Sequence, residues 1–213
     1  MTRPLIILGS GPHAYEMADI VRQINALAPT WELLGCLVAE DRAGEAASCA
    51  ERGLPVLGTY AEAERYGDVV FAPEYGCGAP LALLERAVSL VAPSAFVAGT
   101  AQLGGGSVVY PHCFVGHKAL LGERVFVLAG SVINHDDVLE DDVTVCSGVT
   151  LAGFVHVEAE CYLGQGSTIR QYLRIGRGSL IGMGSVVIAD VAPNSVMVGN
   201  PAHRLRDRNP QGI

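Results

Sequence analysis

An aliphatic residue recurs at every sixth position from Val91 to Val187. The residue four places further on is small at most of these steps, as at Ala101, Ser107 and Cys113. Neither an α-helix nor an ordinary strand has a six-residue period, whereas a parallel β-helix of hexapeptides does, because each hexapeptide forms one face of a triangular coil. Three hexapeptides close one coil, so residues eighteen apart are expected to stack one strand spacing apart, about 4.8 Å.

The pattern before residue 91 is different and predicts a second type of domain. Short apolar runs typical of buried strands alternate there with helical stretches, which indicates a small parallel α/β domain. We therefore expect an α/β substrate-binding domain over 1–90, a β-helix over 91–204 and a polar, frayed C-terminal tail over 205–213. The predicted strands lie at 5–8, 33–38, 55–57 and 69–72, and the predicted helices at about 12–26 and 79–91.

Composition excludes several classes of function. The 213 residues carry a formal net charge of −8, which argues against a nucleic-acid partner because such proteins normally present a basic surface. The apolar run at the N-terminus is too short for a signal peptide, and no segment is long enough to span a membrane. The six cysteines lack metal-type spacing, so we expect a reduced, cytoplasmic protein without a metal.

The first predicted turn has the pattern G-x-G-x-x-A between a strand and a helix. Gly9 and Gly11 would let the backbone approach a phosphate at the helix N-terminus, with His13 beside it. Glu40 or Asp41 ends the second strand, where a carboxylate would bind ribose hydroxyls. About 90 residues are too few for a complete dinucleotide fold. A sugar-nucleotide site and a purely structural tight turn therefore both remain open.

The eighteen-residue offset brings two histidines together. His135 lies one coil above His117, and Gly153 lies one coil beyond His135, leaving space beside the ring. A histidine followed by Asp136 has the parts of a general base, because the carboxylate can orient the imidazole and stabilise its charged form. Backbone amides near Gly153 could polarise a carbonyl, and His117 would then contact a substrate. An idle surface histidine is the alternative.

Asp137 occupies a position that elsewhere is small and inward-pointing. A carboxylate there requires hydrogen-bond partners or a raised pKa. It either supports His135 from behind or marks a local bulge in the coil.

A metal site is a second alternative. His112, His117 and His135 could together hold a zinc-type ion with an open position for water, as in the γ-class carbonic anhydrases. His112 and His117 fall at different hexapeptide phases, which disfavours convergence.

The repeat, the segment Ile133-Asn134-His135-Asp136 and the closing VGNPAHR resemble the hexapeptide acyltransferases. With the α/β domain in front, the chain is most similar to the sialic acid O-acetyltransferases and nucleotide-linked amino-sugar N-acetyltransferases. The resemblance implies a left-handed β-helix, a homotrimer, and acetyl-CoA bound between neighbouring β-helices as the acyl donor.

The same resemblance implies roles for individual residues. His135 would be the general base, with Asp136 as its acidic neighbour. The cofactor-binding positions would be Gly153 at the thioester, Gly182 and Gly184 along the pantetheine arm, and Asn200, Pro201 and Arg204 near the adenosine.

This chain departs from the family pattern mainly on the acceptor side. Leu128 and Ala129 replace an Asn-Thr pair before the base, Thr144 replaces a second histidine, and Pro12 interrupts the first loop. The favoured acceptor is an amine or hydroxyl of a nucleotide-linked amino sugar. A non-nucleotide metabolite is the alternative with the same chemistry, and a non-catalytic scaffold is a further one.

Overall fold

The computed structural model describes residues 2–40 and 49–208, and the chain forms two compact units, 1–93 and 94–213. The first unit contains a four-stranded parallel sheet in the order β3-β2-β1-β4. Its elements are β1 (Arg3–Leu8), α1 (Pro12–Leu27), β2 (Trp31–Val38), β3 (Val56–Thr59), a 3₁₀ helix (Tyr60–Tyr66), β4 (Val70–Pro73), α2 (Leu81–Leu84) and β5 (Leu90–Val91).

Burial explains the sequence of the first unit. The last four residues of β1 form one apolar run and are all 0% exposed, as expected for the centre of a parallel sheet. Helix α1 buries Ala14, Met17 and Val21, whose spacing places them on one face. Phe71 in β4 completes the core of the sheet together with Ile6 and Leu37.

The helix predicted over 79–91 is wrong for most of its length. Only Leu81–Leu84 is helical. The chain then runs along the sheet edge, where the Phe71 amide donates to the Arg86 carbonyl and the Val88 amide donates to the Phe71 carbonyl. Pairing with β4 therefore overrides the helical pattern of this segment.

The second unit is a parallel β-helix. Two-residue strands pair with those eighteen positions away, as Val132 does with Phe114 and Thr150. The predicted offset is thus confirmed, as is the predicted fold class of a left-handed β-helix after an α/β region. The strands are β6 (Phe96–Val97), β7 (Gln102–Leu103), β8 (Val108–Val109), β9 (Phe114–Val115), β10 (Leu120–Leu121), β11 (Phe126–Val127), β12 (Val132–Ile133), β13 (Val138–Leu139), β14 (Thr144–Val145), β15 (Thr150–Leu151), β16 (His156–Val157), β17 (Tyr162–Leu163), β18 (Thr168–Ile169), β19 (Arg174–Ile175), β20 (Leu180–Ile181) and β21 (Val186–Val187).

The repeat fills the interior of the β-helix. Every sixth residue from Val109 to Val187 is buried. The turns follow the same period, because a residue with positive φ occurs at every sixth position from Gly106 to Gly184. Asp136 is one of these, with φ 59°, in a conformation that Asp adopts more readily than most residues. The repeat thus determines where the site residues project.

The C-terminal segment is more ordered than predicted. Residues Leu205–Asp207, assigned to the tail, belong to β23 (His203–Asp207), which pairs antiparallel with β22 (Ser195–Val198). Strand β22 continues the β-helix beside β20 and offers its other edge to β23. Among the described residues, no helix is long and apolar enough to cross a membrane.

Candidate active site

A column of four residues, each eighteen positions apart, contains the candidate base and the glycine beside it. Gly99, His117, His135 and Gly153 occupy equivalent positions on successive coils. The imidazole of His135 lies directly over Gly153, because a Cβ at Gly153 would be 2.6 Å from Cε1 of that ring and 2.8 Å from Nε2. Nδ1 of His117 is 2.8 Å from Oγ1 of Thr100. The structure therefore brings together His135 and Gly153.

Asp136 orients the imidazole of His135. Its Oδ2 lies 3.0 Å from Nδ1 of His135. A carboxylate accepts hydrogen bonds only, so this contact favours the tautomer with the proton on Nδ1. Nε2 then carries the lone pair that a general base requires. The His135 side chain is 55% exposed, so a substrate has access to it.

Two aromatic rings support the imidazole from the side. Phe154 meets His135 edge-on, with ring centroids 5.3 Å apart, and stacks on Tyr172 at 5.1 Å. Both aromatic side chains are exposed, Tyr172 by 71%. This pair was not predicted from the sequence. Phe154 follows Gly153 directly and Tyr172 lies eighteen residues further on, which is the signal that could have revealed it.

Asp137 is fully buried and has hydrogen-bond partners. Its Oδ2 accepts the Asn134 amide and its Oδ1 accepts the Val155 amide, both at 2.8 Å. Burial raises the pKa of this carboxyl to about 7, although the two backbone donors and the nearby His135 act in the opposite direction. The flanking strands keep their register, so the predicted alternative of a bulge is wrong.

The predicted cofactor residues other than Gly153 lie at the C-terminal end of the β-helix. Gly184 has φ 65° with open space at its Cβ position, while a Cβ at Gly182 would be 2.9 Å from Cγ1 of Val198. In the sheet, Arg204 of β23 lies opposite Met197 of β22, and Met197 lies beside Ile181 of β20. Arg204 is therefore two strands, or about 10 Å, from the segment that contains Gly182. Arg204 also forms an ion pair with Asp207. The Asn200–Pro201 peptide bond is cis.

The turn after β1 forms one wall of a cavity of about 300 Å³ in the first unit. Gly9 (φ 115°), Gly11 and Glu40 line it, as do Tyr60 and Glu74. Asp41, the alternative to Glu40, lies outside the described residues. Nδ1 of His13 is 2.9 Å from Oε2 of Glu16, at the surface of α1.

Glu74 occupies the place at the start of α1 where a phosphate was one of the two alternatives from the sequence. Its carboxylate accepts the Gly11 amide at 2.9 Å, and a Cβ at either Gly9 or Gly11 would collide with it. Burial raises the pKa of Glu74, while the amides of Gly11, Ala14 and His13 act to lower it. A phosphate at this helix N-terminus would have to displace a buried carboxyl. Glu74 was not among the residues predicted from the sequence, although it directly follows β4, which pairs with the strand that precedes this turn.

Within the described residues, no group of three histidine, cysteine or acidic side chains has a geometry that could hold a metal ion. This includes His112, His117 and His135, the set considered from the sequence. The imidazole contacts of His117 and His135 are with Thr100 and Asp136.

Comparison with known proteins identifies relatives through structure. No protein-family model and no curated protein sequence matches the chain. The acetyltransferase domain of PglB from Neisseria gonorrhoeae is 25% identical, with a TM-score of 0.77 over 96% of this chain and 100% of that one. A mutant of GDP-perosamine N-acetyltransferase from Caulobacter crescentus, in complex with CoA and GDP-perosamine, is 24% identical, with a TM-score of 0.82 over 97% and 98%. WeeI from Acinetobacter baumannii is 22% identical, with a TM-score of 0.73 over 96% and 100%.

The chain has the fold of the hexapeptide-repeat nucleotide-amino-sugar N-acetyltransferases. The resemblance predicted from the repeat and the VGNPAHR segment is therefore confirmed. Its structural neighbours are acetyltransferases that bind coenzyme A: a second structure of the PglB domain, 24% identical with a TM-score of 0.78, contains acetyl coenzyme A.

Proposed function

We propose that the protein transfers an acetyl group from acetyl-CoA to the amine of a nucleotide-linked amino sugar. The observation that carries this proposal is the arrangement of His135 between Asp136 and Gly153 on the β-helix of an acetyltransferase fold. Neighbours of this fold bind CoA and GDP-perosamine, which supports the choice of donor and acceptor class.

The proposed reaction uses Nε2 of His135 as the general base. It takes a proton from the acceptor nitrogen while that nitrogen bonds to the thioester carbonyl carbon. Asp136 stabilises the imidazolium that forms, and the Gly153 amide donates to the oxyanion of the tetrahedral intermediate. The carbon–sulfur bond then breaks, and the proton passes from His135 to the departing CoA thiolate.

The donor would lie along the later coils. Open space at Gly184 leaves room for the pantetheine arm, which would also pass Gly182. The exposed guanidinium of Arg204 would exchange its ion pair with Asp207 for a CoA phosphate, for which a planar guanidinium is well suited. We expect Asn200 and Pro201 to adjoin the adenosine, and neighbouring subunits of a homotrimer to enclose the donor. All six cysteines are free thiols, which supports a cytoplasmic location.

Substitution of His135 tests this function directly. His135→Ala should bind CoA normally but lower kcat for acetylation of GDP-, UDP- and dTDP-linked amino sugars by about 10²–10⁴-fold. Thiol release from acetyl-CoA measures turnover. His112→Asn is the matched control, because His112 is exposed and its φ of 61° suits Asn. Near-normal turnover in His135→Ala would contradict the assignment of the base.

One observation favours a second acceptor class. The buried carboxyl of Glu74 at the start of α1 disfavours a phosphate there. A site without a phosphate would suit an acceptor amine on a non-nucleotide metabolite. Thermal-shift measurements with nucleotide sugars separate the two classes. An increase in melting temperature with UDP-, GDP- or dTDP-sugars supports the nucleotide-linked acceptor, and its absence with all three favours the second class.

A further inference from the structure

The turn that carries His135 is tied to the turn that carries Gly153 by side chains on both flanks of the glycine. Asn134 donates its side-chain amide to the Leu151 carbonyl at 2.7 Å, on the N-terminal side of Gly153. Asp137 accepts the Val155 amide at 2.8 Å, on the C-terminal side. The second oxygen of Asp137 accepts the backbone amide of Asn134. The two hydrogen bonds to the Gly153 turn are therefore linked through the Asp137 carboxylate.

The same position elsewhere in the β-helix is filled by neutral side chains. At Ser107, Oγ accepts the Val125 amide eighteen residues on at 3.0 Å and donates to the Gly122 carbonyl. Ser131 likewise donates to the Cys146 carbonyl at 2.8 Å. A hydroxyl is therefore sufficient to join successive coils. Asp137 does more, because its second oxygen also holds the backbone of its own turn three residues back.

We propose that Asp137 is a positioning residue that sets the separation between the imidazole of His135 and the amide of Gly153. This proposal rests on the proposed acetyl transfer. The carboxylate bridges two backbone amides, one immediately before His135 and one two residues after Gly153. Because base and oxyanion donor must act on the same acetyl group, a fixed separation lowers the cost of reaching the reactive geometry.

The bridge requires an ionised carboxylate. Protonation replaces one of the two acceptors with a hydroxyl, so one backbone amide loses a strong partner. The charges that act on Asp137 come from His135 and Asp136, while Ala119 and Val155, which align with it on the neighbouring coils, are apolar. Turnover should therefore fall at pH values where Asp137 becomes protonated.

The experiment compares Asp137→Ser, Asp137→Asn and Ser107→Ala with the wild type. Serine is one of the residues that the repeat places at this position, as at Ser107 and Ser131, so Asp137→Ser should fold. Asp137→Asn keeps the shape of the side chain, but its NH₂ group would face one of the two backbone amides, of Asn134 or Val155, that donate to Asp137 in the wild type. Ser107→Ala is the matched control, since it removes an inter-coil bond of the same kind two coils away from Gly153. Thiol release with GDP-perosamine and UDP- and dTDP-linked amino sugars gives kcat, and calorimetry gives the CoA affinity.

We expect kcat to fall about 10-fold or more in Asp137→Ser and Asp137→Asn, with CoA affinity within about threefold of the wild type. The acid limb of log kcat against pH should be steeper in the wild type than in Asp137→Ser. Ser107→Ala should keep the wild-type kcat. Unchanged kcat and pH profile in Asp137→Ser, or an equal loss in Ser107→Ala, would overturn the positioning role alone. No transfer by the wild type to any acceptor would overturn the proposed function as well.

Discussion

Adding one methyl group at Gly153 should disable the site while leaving the fold intact. In Gly153→Ala the new Cβ would be 2.6 Å from Cε1, 2.8 Å from Nε2 and 3.1 Å from Nδ1 of His135. The ring would have to move by roughly 0.8 Å to reach an ordinary contact of 3.4 Å. Because the imidazole is more than half exposed, it can swing outward rather than strain the coil.

That displacement sets the size of the effect. Moving the ring lengthens its 3.0 Å contact with Asp136 and takes Nε2 away from the acceptor. A misplacement of about 1 Å costs up to 10²-fold in rate, so kcat should fall about 10- to 100-fold, or about 1.4–2.7 kcal/mol in barrier height. The melting temperature should change little, since His135 is the group that a Cβ at residue 153 meets.

Gly99 offers a matched control in the same column. A Cβ at Gly99 meets nothing within 4 Å, and both glycines lack the positive φ that would strain an alanine. Steady-state thiol release with the amino-sugar acceptors used for His135→Ala should show a loss in Gly153→Ala and wild-type turnover in Gly99→Ala. Equal turnover in the two variants would refute the idea that Gly153 makes room for the base.

Four further changes probe the rest of the chain. Arg204→Ala should weaken binding of CoA several-fold by calorimetry but leave 3′-dephospho-CoA unaffected, if its guanidinium pairs with that phosphate. Glu74→Ala should lower the free energy of unfolding in urea by about 1–3 kcal/mol, because the Gly11 amide loses its buried acceptor, and Glu74→Gln should lower it less. The pKa of Asp137 is raised from 3.8 to about 7, so between these pH values the folded state retains a proton that the unfolded chain releases. The free energy of unfolding of the wild type, relative to that of Asp137→Ser, should therefore fall as the pH rises from about 4 to about 7. Phe154→Ala should lower stability by about 1 kcal/mol and reduce kcat less than Gly153→Ala does, because it removes a lateral contact with His135 and leaves Asp136 in place.

The six-residue period made the β-helix the more predictable half of the molecule. Since each coil contains eighteen residues, simple addition placed His117, His135 and Gly153 in one column, and the structure has them there. The orientation of the ring could not be obtained in this way. It depends on the contact between Nδ1 of His135 and Oδ2 of Asp136, and a residue count does not reveal side-chain conformations.

The first unit was harder to predict because its decisive contacts join distant segments. Glu74 reaches the Gly11 amide across 63 positions, and the segment after α2 pairs with Phe71 instead of continuing as a helix. Both outcomes depend on which strands become neighbours in the sheet. The glycine pattern alone therefore suggested a phosphate where the chain has placed its own carboxyl.

Asp137 is the residue whose presence the fold does not require. Ser131, one hexapeptide earlier, joins its coil to the next with an uncharged hydroxyl, and Val143, one hexapeptide later, fills the equivalent place without any polar group. A fully buried carboxyl costs desolvation energy that neither of these neighbours incurs, as its raised pKa indicates. What differs at this corner is its position between the turn of the candidate base and the turn of Gly153. Under the positioning role that we propose for Asp137, this cost falls at the corner where the separation of two turns would matter for chemistry, which is the pattern expected when stability is given up for the geometry of a site.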